Sequence, residues 1–128
     1  MSTNEERDNE ETPEVIRAAD DAYEAIRTIN HLTITQVHAA PTVYSVLGNL
    51  KGVGHLLPQA CTQLARSLGR SLDEYDVYED DNRDPVASVA AATDHLTRAA
   101  QLAAELGAEL EKAQTAISRQ GYREIPHS

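Results

Sequence analysis

From Val89 to Ile117 the chain repeats apolar residues at steps of three and four without a break: Val89, Ala92, Leu96, Ala99, Ala103, Leu106, Leu110, Ala113 and Ile117. Only an α-helix gathers such positions on one side. The run therefore predicts a helix of about 36 residues, roughly 54 Å long at about 1.5 Å per residue. A stripe of that length needs another helix lying along it, and this demand shapes the whole reading. The start of the helix is also written in the sequence. In "YEDDNRDPV", residues 78–86, Asp84 is placed to cap and Pro85 to occupy the first helical position. At the other end Lys112 and Arg119 suit the negative end of the dipole, and Gly121 is expected to close the helix in the left-handed conformation.

Two further segments supply partners. Val15, Ala19, Ala22, Ile26 and Ile29 form one face of a first helix beginning near Thr12, Pro13 and Glu14. The β-branched "HLTITQVHAAP" could be read as a short strand, but a lone strand has no pairing partner in this chain, so the helix is expected to continue to about Ala40, where Pro41 forces a break. From Thr42 onward Val43, Leu47, Leu50, Gly54, Leu57, Cys61, Leu64 and Leu68 hold one phase through Pro58. This predicts a middle helix kinked or split near Pro58, with Gly54 one turn back absorbing the distortion. Gly48 and Gly52, one turn apart, leave a notch where another helix could come close.

The expected fold is therefore all-α, an elongated antiparallel bundle of three long helices over residues 12–121. It is preceded by a disordered acidic tail at residues 1–11, and residues 122–128 form a C-terminal tail. The apolar residues are mostly Ala, Leu, Val and Ile, with five Tyr and no Phe or Trp. Ala-rich faces bury little area per chain, so a homodimer or higher homo-oligomer is expected to complete the burial.

Charge is distributed unevenly along a chain of formal net charge −10. Residues 25–72 contain no acid and only Arg27, Lys51, Arg66 and Arg70 as bases, whereas seven acids crowd residues 73–84 against Arg83 alone. The first expectation is that the acid-free middle is the most buried part and that the acidic blocks are solvated. The alternative is a DNA-associated regulator using segment 25–72, in which "QLARSLGRSL" places Arg66 and Arg70 around a glycine turn; four cations between two acidic blocks are few for holding phosphates. The longest uncharged stretch, Thr28 to Leu50, contains Asn30, His31, Gln36, His38, Pro41 and Asn49 and is too polar for a membrane span. One cysteine and no leader-like N-terminus point to a reducing cytoplasm.

Several chemistries require patterns that this chain lacks. Asp80, Asn82 and Asp84 match the first ligands of a calcium loop, but Pro85 stands at its glycine position and Ala91 at its final glutamate. For His31, His38, His55 and His95 the residue three before is Thr28, Thr35, Gly52 or Ala92, so the Glu-x-x-His pairs of di-iron bundles are missing. Cys61 falls on the apolar phase, and "GNLKGVGH" lacks the Gly-Lys-Ser/Thr of a phosphate loop. The Trp-x-Gly turn of one class of small secreted helical hairpins is also absent, since there is no Trp. No catalytic, metal or cofactor-binding residue is assigned, and no enzyme is expected. What is expected is a self-associating protein-protein interaction or assembly module, with Gly48, Gly52, Lys51, Arg66 and Arg70 as candidate interaction residues.

Overall fold

The computed structural model describes residues 12–126, so the acidic tail expected at residues 1–11 and the last two residues lie outside it. Three helices carry the described chain: α1 Glu14–Thr35, α2 Ala40–Glu74 and α3 Pro85–Ala116. The described residues contain no strand, and the architecture is an all-α helical bundle. The chain divides into two compact units, one up to His38 and one from Ala39 onward.

In the first unit, α1 begins one residue later than expected, with Pro13 in the cap position; its carbonyl accepts from the amides of Ile16 and Arg17 at 3.1 and 3.2 Å. Helix to about Ala40 does not hold, because α1 ends at Thr35 and Gln36 is extended at φ −134°, ψ 143°. A helix continued through Pro41 would drive the proline ring against the Val37 carbonyl four residues back and deprive that carbonyl of a donor. The last turn is weak as well. Thr33 and Thr35 turn their hydroxyls back onto the carbonyls of Ile29 and His31, at 2.8 and 3.1 Å. The Leu32 carbonyl is closed off by the Gln36 amide at 3.1 Å and, at 3.4 Å, by His38 Nε2 acting as donor.

The second unit is a helical hairpin. Proline falls in the first turn of α2, where Pro41 needs no donor, and in the first turn of α3 as Pro85. Asp84 caps α3 as its sequence predicts, its Oδ1 accepting from the Val86 amide at 3.0 Å. Between the helices the acidic loop turns at Asn82, which holds φ 61°, and Arg83 pairs with Asp81 at 2.6 Å. So the carboxylates of "EDDNRDP" make a turn and a cap. Helix α2 runs unbroken through Pro58 and is not split there. Helix α3 stops at Ala116, short of Gly121, in a turn closed by i to i−3 bonds at Ile117, Ser118 and Gln120; no described glycine has positive φ. Thr115, Ile117 and Ser118 are poor helix formers, and the tighter bonds satisfy the terminal carbonyls instead.

Antiparallel register is set by contacts that pair rising numbers on α2 with falling numbers on α3: Tyr44 with Gln114, Lys51 with Glu111, Gly54 with Gly107. The closest approach is backbone on backbone. A Cβ placed on Gly54 would lie 2.8 Å from Gly107 Cα, 2.9 Å from its nitrogen and 3.3 Å from the Ala103 carbonyl oxygen. A Cβ on Gly107 would meet the His55 ring at 2.9 Å. Two turns away, Gln114 is 7% exposed, its Nε2 donates to the Tyr44 carbonyl at 3.1 Å, and it fills the space over Gly48. Gly54, Ala103, Gly107 and Gln114 are the buried residues among those described, and Ala103 is the one apolar side chain in that set. The seam is thus narrow and lined by small residues.

Two sets of substitutions test this seam. Gly54→Ala has to separate two backbones and is expected to cost roughly 1–3 kcal/mol, whereas Gly52→Ala, with nothing within 4 Å of its Cβ, is expected to gain about 0.5–1 kcal/mol from helix propensity. Urea unfolding followed by circular dichroism measures both; equal effects would mean that Gly54 is not at the crossing. Gly48→Ala would set its Cβ 2.8 Å from Gln114 Nε2, so its effect should depend on Gln114. In a Gln114→Ala background it should become stabilising by about 0.5–1 kcal/mol. Additive effects in that double-mutant cycle would contradict the contact.

Candidate interaction surface

A hairpin of two helices has two broad faces, and the Lys51–Glu111 contact identifies one of them. Lys51 Nζ and Glu111 Oε1 stand 3.8 Å apart on one flank of the seam, and Gly48 and His55 lie on the same flank of α2. At ~100° per residue, the opposite flank of α2 carries Val46, Leu50, Val53, Leu57, Leu64 and Leu68. The matching flank of α3 carries Ala92, His95, Ala99, Leu102, Leu106 and Ala113. Because the helices are antiparallel, these two flanks form one face of the hairpin. Neither contains Asp, Glu, Lys or Arg, in a chain with 32 such residues among 128.

Along that face the larger side chains are partly exposed. Leu57, Leu64 and Leu68 are 39%, 50% and 37% exposed, and Val53, Leu102 and Leu106 are 45%, 47% and 50% exposed. Scattered exposed aliphatics are ordinary on protein surfaces; a contiguous uncharged stripe on two adjacent helices is what marks a contact surface. The cause is the seam itself. Helices brought together at Gly54 and Gly107 leave no depth between them for leucine, so the larger side chains turn outward onto one flank.

The residues singled out from sequence lie elsewhere. A Cβ on Gly48 would meet its own chain's Gln114 on α3 at 2.8 Å, and one on Gly52 would meet nothing within 4 Å. Lys51, whose side chain is 30% exposed, pairs with the half-exposed Glu111. Such a pair contributes at most about 1 kcal/mol. Arg66 and Arg70 line a shallow concavity on the outer side of α2 with Gln63, Ser67, Ser71 and Tyr75. Arg70 is engaged by Glu74 of the same helix at 3.2 Å, which leaves Arg66 as the cation there without an ion-pair partner among the described residues.

Among the described residues no group of three His, Cys, Asp or Glu side chains is placed to hold a metal ion, and no helix is long and apolar enough to cross a membrane. Cys61 is half-buried beside the seam. Comparison with known proteins finds no matching family model, no similar curated protein and no similar solved structure.

Proposed function

We propose that the chain is a non-enzymatic helical interaction module that assembles with itself, and that its working surface is the uncharged face of the α2–α3 hairpin. The observation that carries this reading is the exposure of Leu57, Leu64, Leu68, Leu102 and Leu106 along a single stripe. Covering a half-exposed leucine is worth roughly 1 kcal/mol, so a partner that covers the stripe on both helices gains several such increments before the costs of association. Charge favours this face as well. The face itself carries no acid, so two copies can meet there with no carboxylate inside the contact. The role on this reading is structural or adaptor, and the single Cys61 favours a reducing compartment such as the cytoplasm.

The test is molar mass in solution by light scattering over a concentration series, at low and high salt. The expected result is a species heavier than the 14.0 kDa chain, persisting in high salt because burial of apolar surface drives it while the acidic repulsion is screened. Leu64→Glu, on the exposed stripe and away from the Gly54–Gly107 contact, should return the protein to a monomer with helicity unchanged. A wild-type monomer at every concentration would contradict self-assembly. A wild-type oligomer that survives Leu64→Glu would remove this face from it.

A further inference from the structure

Resting on that reading, the geometry goes further and fixes how a second copy sits. We propose that two hairpins pair face to face about a twofold axis that crosses α2 at Leu57, with α2 antiparallel to the partner's α2 and α3 antiparallel to the partner's α3, giving a four-helix bundle.

Size is the first argument. From Val46 to Leu68 the stripe spans about 33 Å at about 1.5 Å per residue, and two adjacent helices are about 20 Å wide. That is about 650 Å² per copy, or about 1,300 Å² in the pair, within the range of roughly 1,200–2,000 Å² for specific interfaces. One hairpin face is therefore large enough for a second copy of itself.

Charge selects the arrangement. Along the outer edge of the face α2 presents Asn49, Leu56, Ala60 and Gln63, all uncharged, with Leu56 68% exposed, and only past them does it carry Arg66, Arg70 and Glu74 beside Ser67 and Ser71. The outer edge of α3 presents Arg98, Glu105 and Glu109, all exposed. Setting α2 over the partner's α3 would bring those charges against Leu56 and Ala60. Setting like helix over like helix joins the two uncharged edges and places the charged edges together.

The register then matches the charges. The Gly54–Gly107 pairing carries Leu57 to the level of Ala104 on α3. A twofold axis at that level superposes the height of Arg98 on that of Glu109, since the two residues stand almost equally far on either side. Each copy's Arg98 thus meets its partner's Glu109, and the contact occurs twice. Arg98 has no hydrogen-bond or ion-pair partner within its own chain among the described residues. Glu109 holds Lys112 at 3.0 Å on its exposed side, with carboxylate lone pairs left to accept from a second donor. Glu105 shares that edge with Arg98, two turns on, and stands beside the axis, where its exposure lets solvent and salt screen it from the partner's Glu105.

Cross-linking tests the axis and charge reversal tests the edge, both on the full chain with Cys61→Ala to remove the native thiol. Leu57→Cys should form a covalent dimer under mild oxidation or with a short bismaleimide, because residue 57 meets itself at the axis. Leu64→Cys should not, since its two copies stand about 21 Å apart along the helices. Arg98→Glu should raise the dimer dissociation constant roughly tenfold, and Arg98→Glu combined with Glu109→Arg should restore it. A dimer that cross-links through residue 64 and not 57, or that ignores the charge reversal, overturns this arrangement and leaves self-assembly standing. A protein that is monomeric throughout overturns both.

Discussion

The contact between the backbones of Gly54 and Gly107 is the constraint from which the hairpin follows. With no Cβ on either side, the two helices meet where Ala103 also presents its carbonyl oxygen, and a Cβ on either glycine would strike main-chain atoms or the His55 ring. Close approach fixes the register. Register in turn seats Gln114 over Gly48 and sets Lys51 beside Glu111. Dispersion in such a seam comes from many short contacts of main chain and small side chains instead of a few large residues. A buried glutamine amide donating to the Tyr44 carbonyl adds direction, since any slip of one helix along the other would leave that amide without its acceptor.

The same contact explains the exposed face. Leucine has no room at the glycine crossing itself, so Leu57 and Leu106 beside it stand partly outward, while Leu47 and Leu96 further along the seam are half-buried. A chain whose uncharged helical face stays half in water pays for that exposure unless another surface covers it. The placement of charge fits such a surface: the acids gather in the loop between α2 and α3 and near the N-terminus, while α2 carries only Lys51, Arg66 and Arg70 before its acidic end at Asp73 and Glu74. The loop carboxylates themselves are occupied with local structure, Asp84 as a cap and Asp81 against Arg83 beside the left-handed Asn82.

Much of this was legible in the residues, and the gaps have physical causes. Three helices, the start of α3 at Asp84 and Pro85, and the shared three-and-four phase of α2 and α3 are visible in spacing alone. The end of α1 was misread because the apolar pattern runs on past Thr35, while the backbone answers to Pro41 and the threonine hydroxyls. On α2 the traced series runs through the crossing at Gly54, and on α3 it includes the buried Ala103. The other two close residues of α3, Gly107 and Gln114, are chosen for smallness or for one hydrogen bond and lie one step past Leu106 and Ala113, which periodicity follows because it weights volume. Two isolated glycines inside long helical runs, where each costs stability in a lone helix, were the available sign of a crossing. Gly54 was instead explained by Pro58, and a buried glutamine has no sequence mark at all.

Nuclear Overhauser contacts in the isotope-labelled protein measure the helix crossing directly. A strong interhelical cross-peak between the Gly54 and Gly107 α-protons is expected, with a second set linking the Gln114 side-chain amide to Tyr44 and Gly48. Cross-peaks joining Gly54 to Ala100 or to Gln114, one heptad away on either side, would show a different register. In that case the exposed stripe described here would not be the face the hairpin presents.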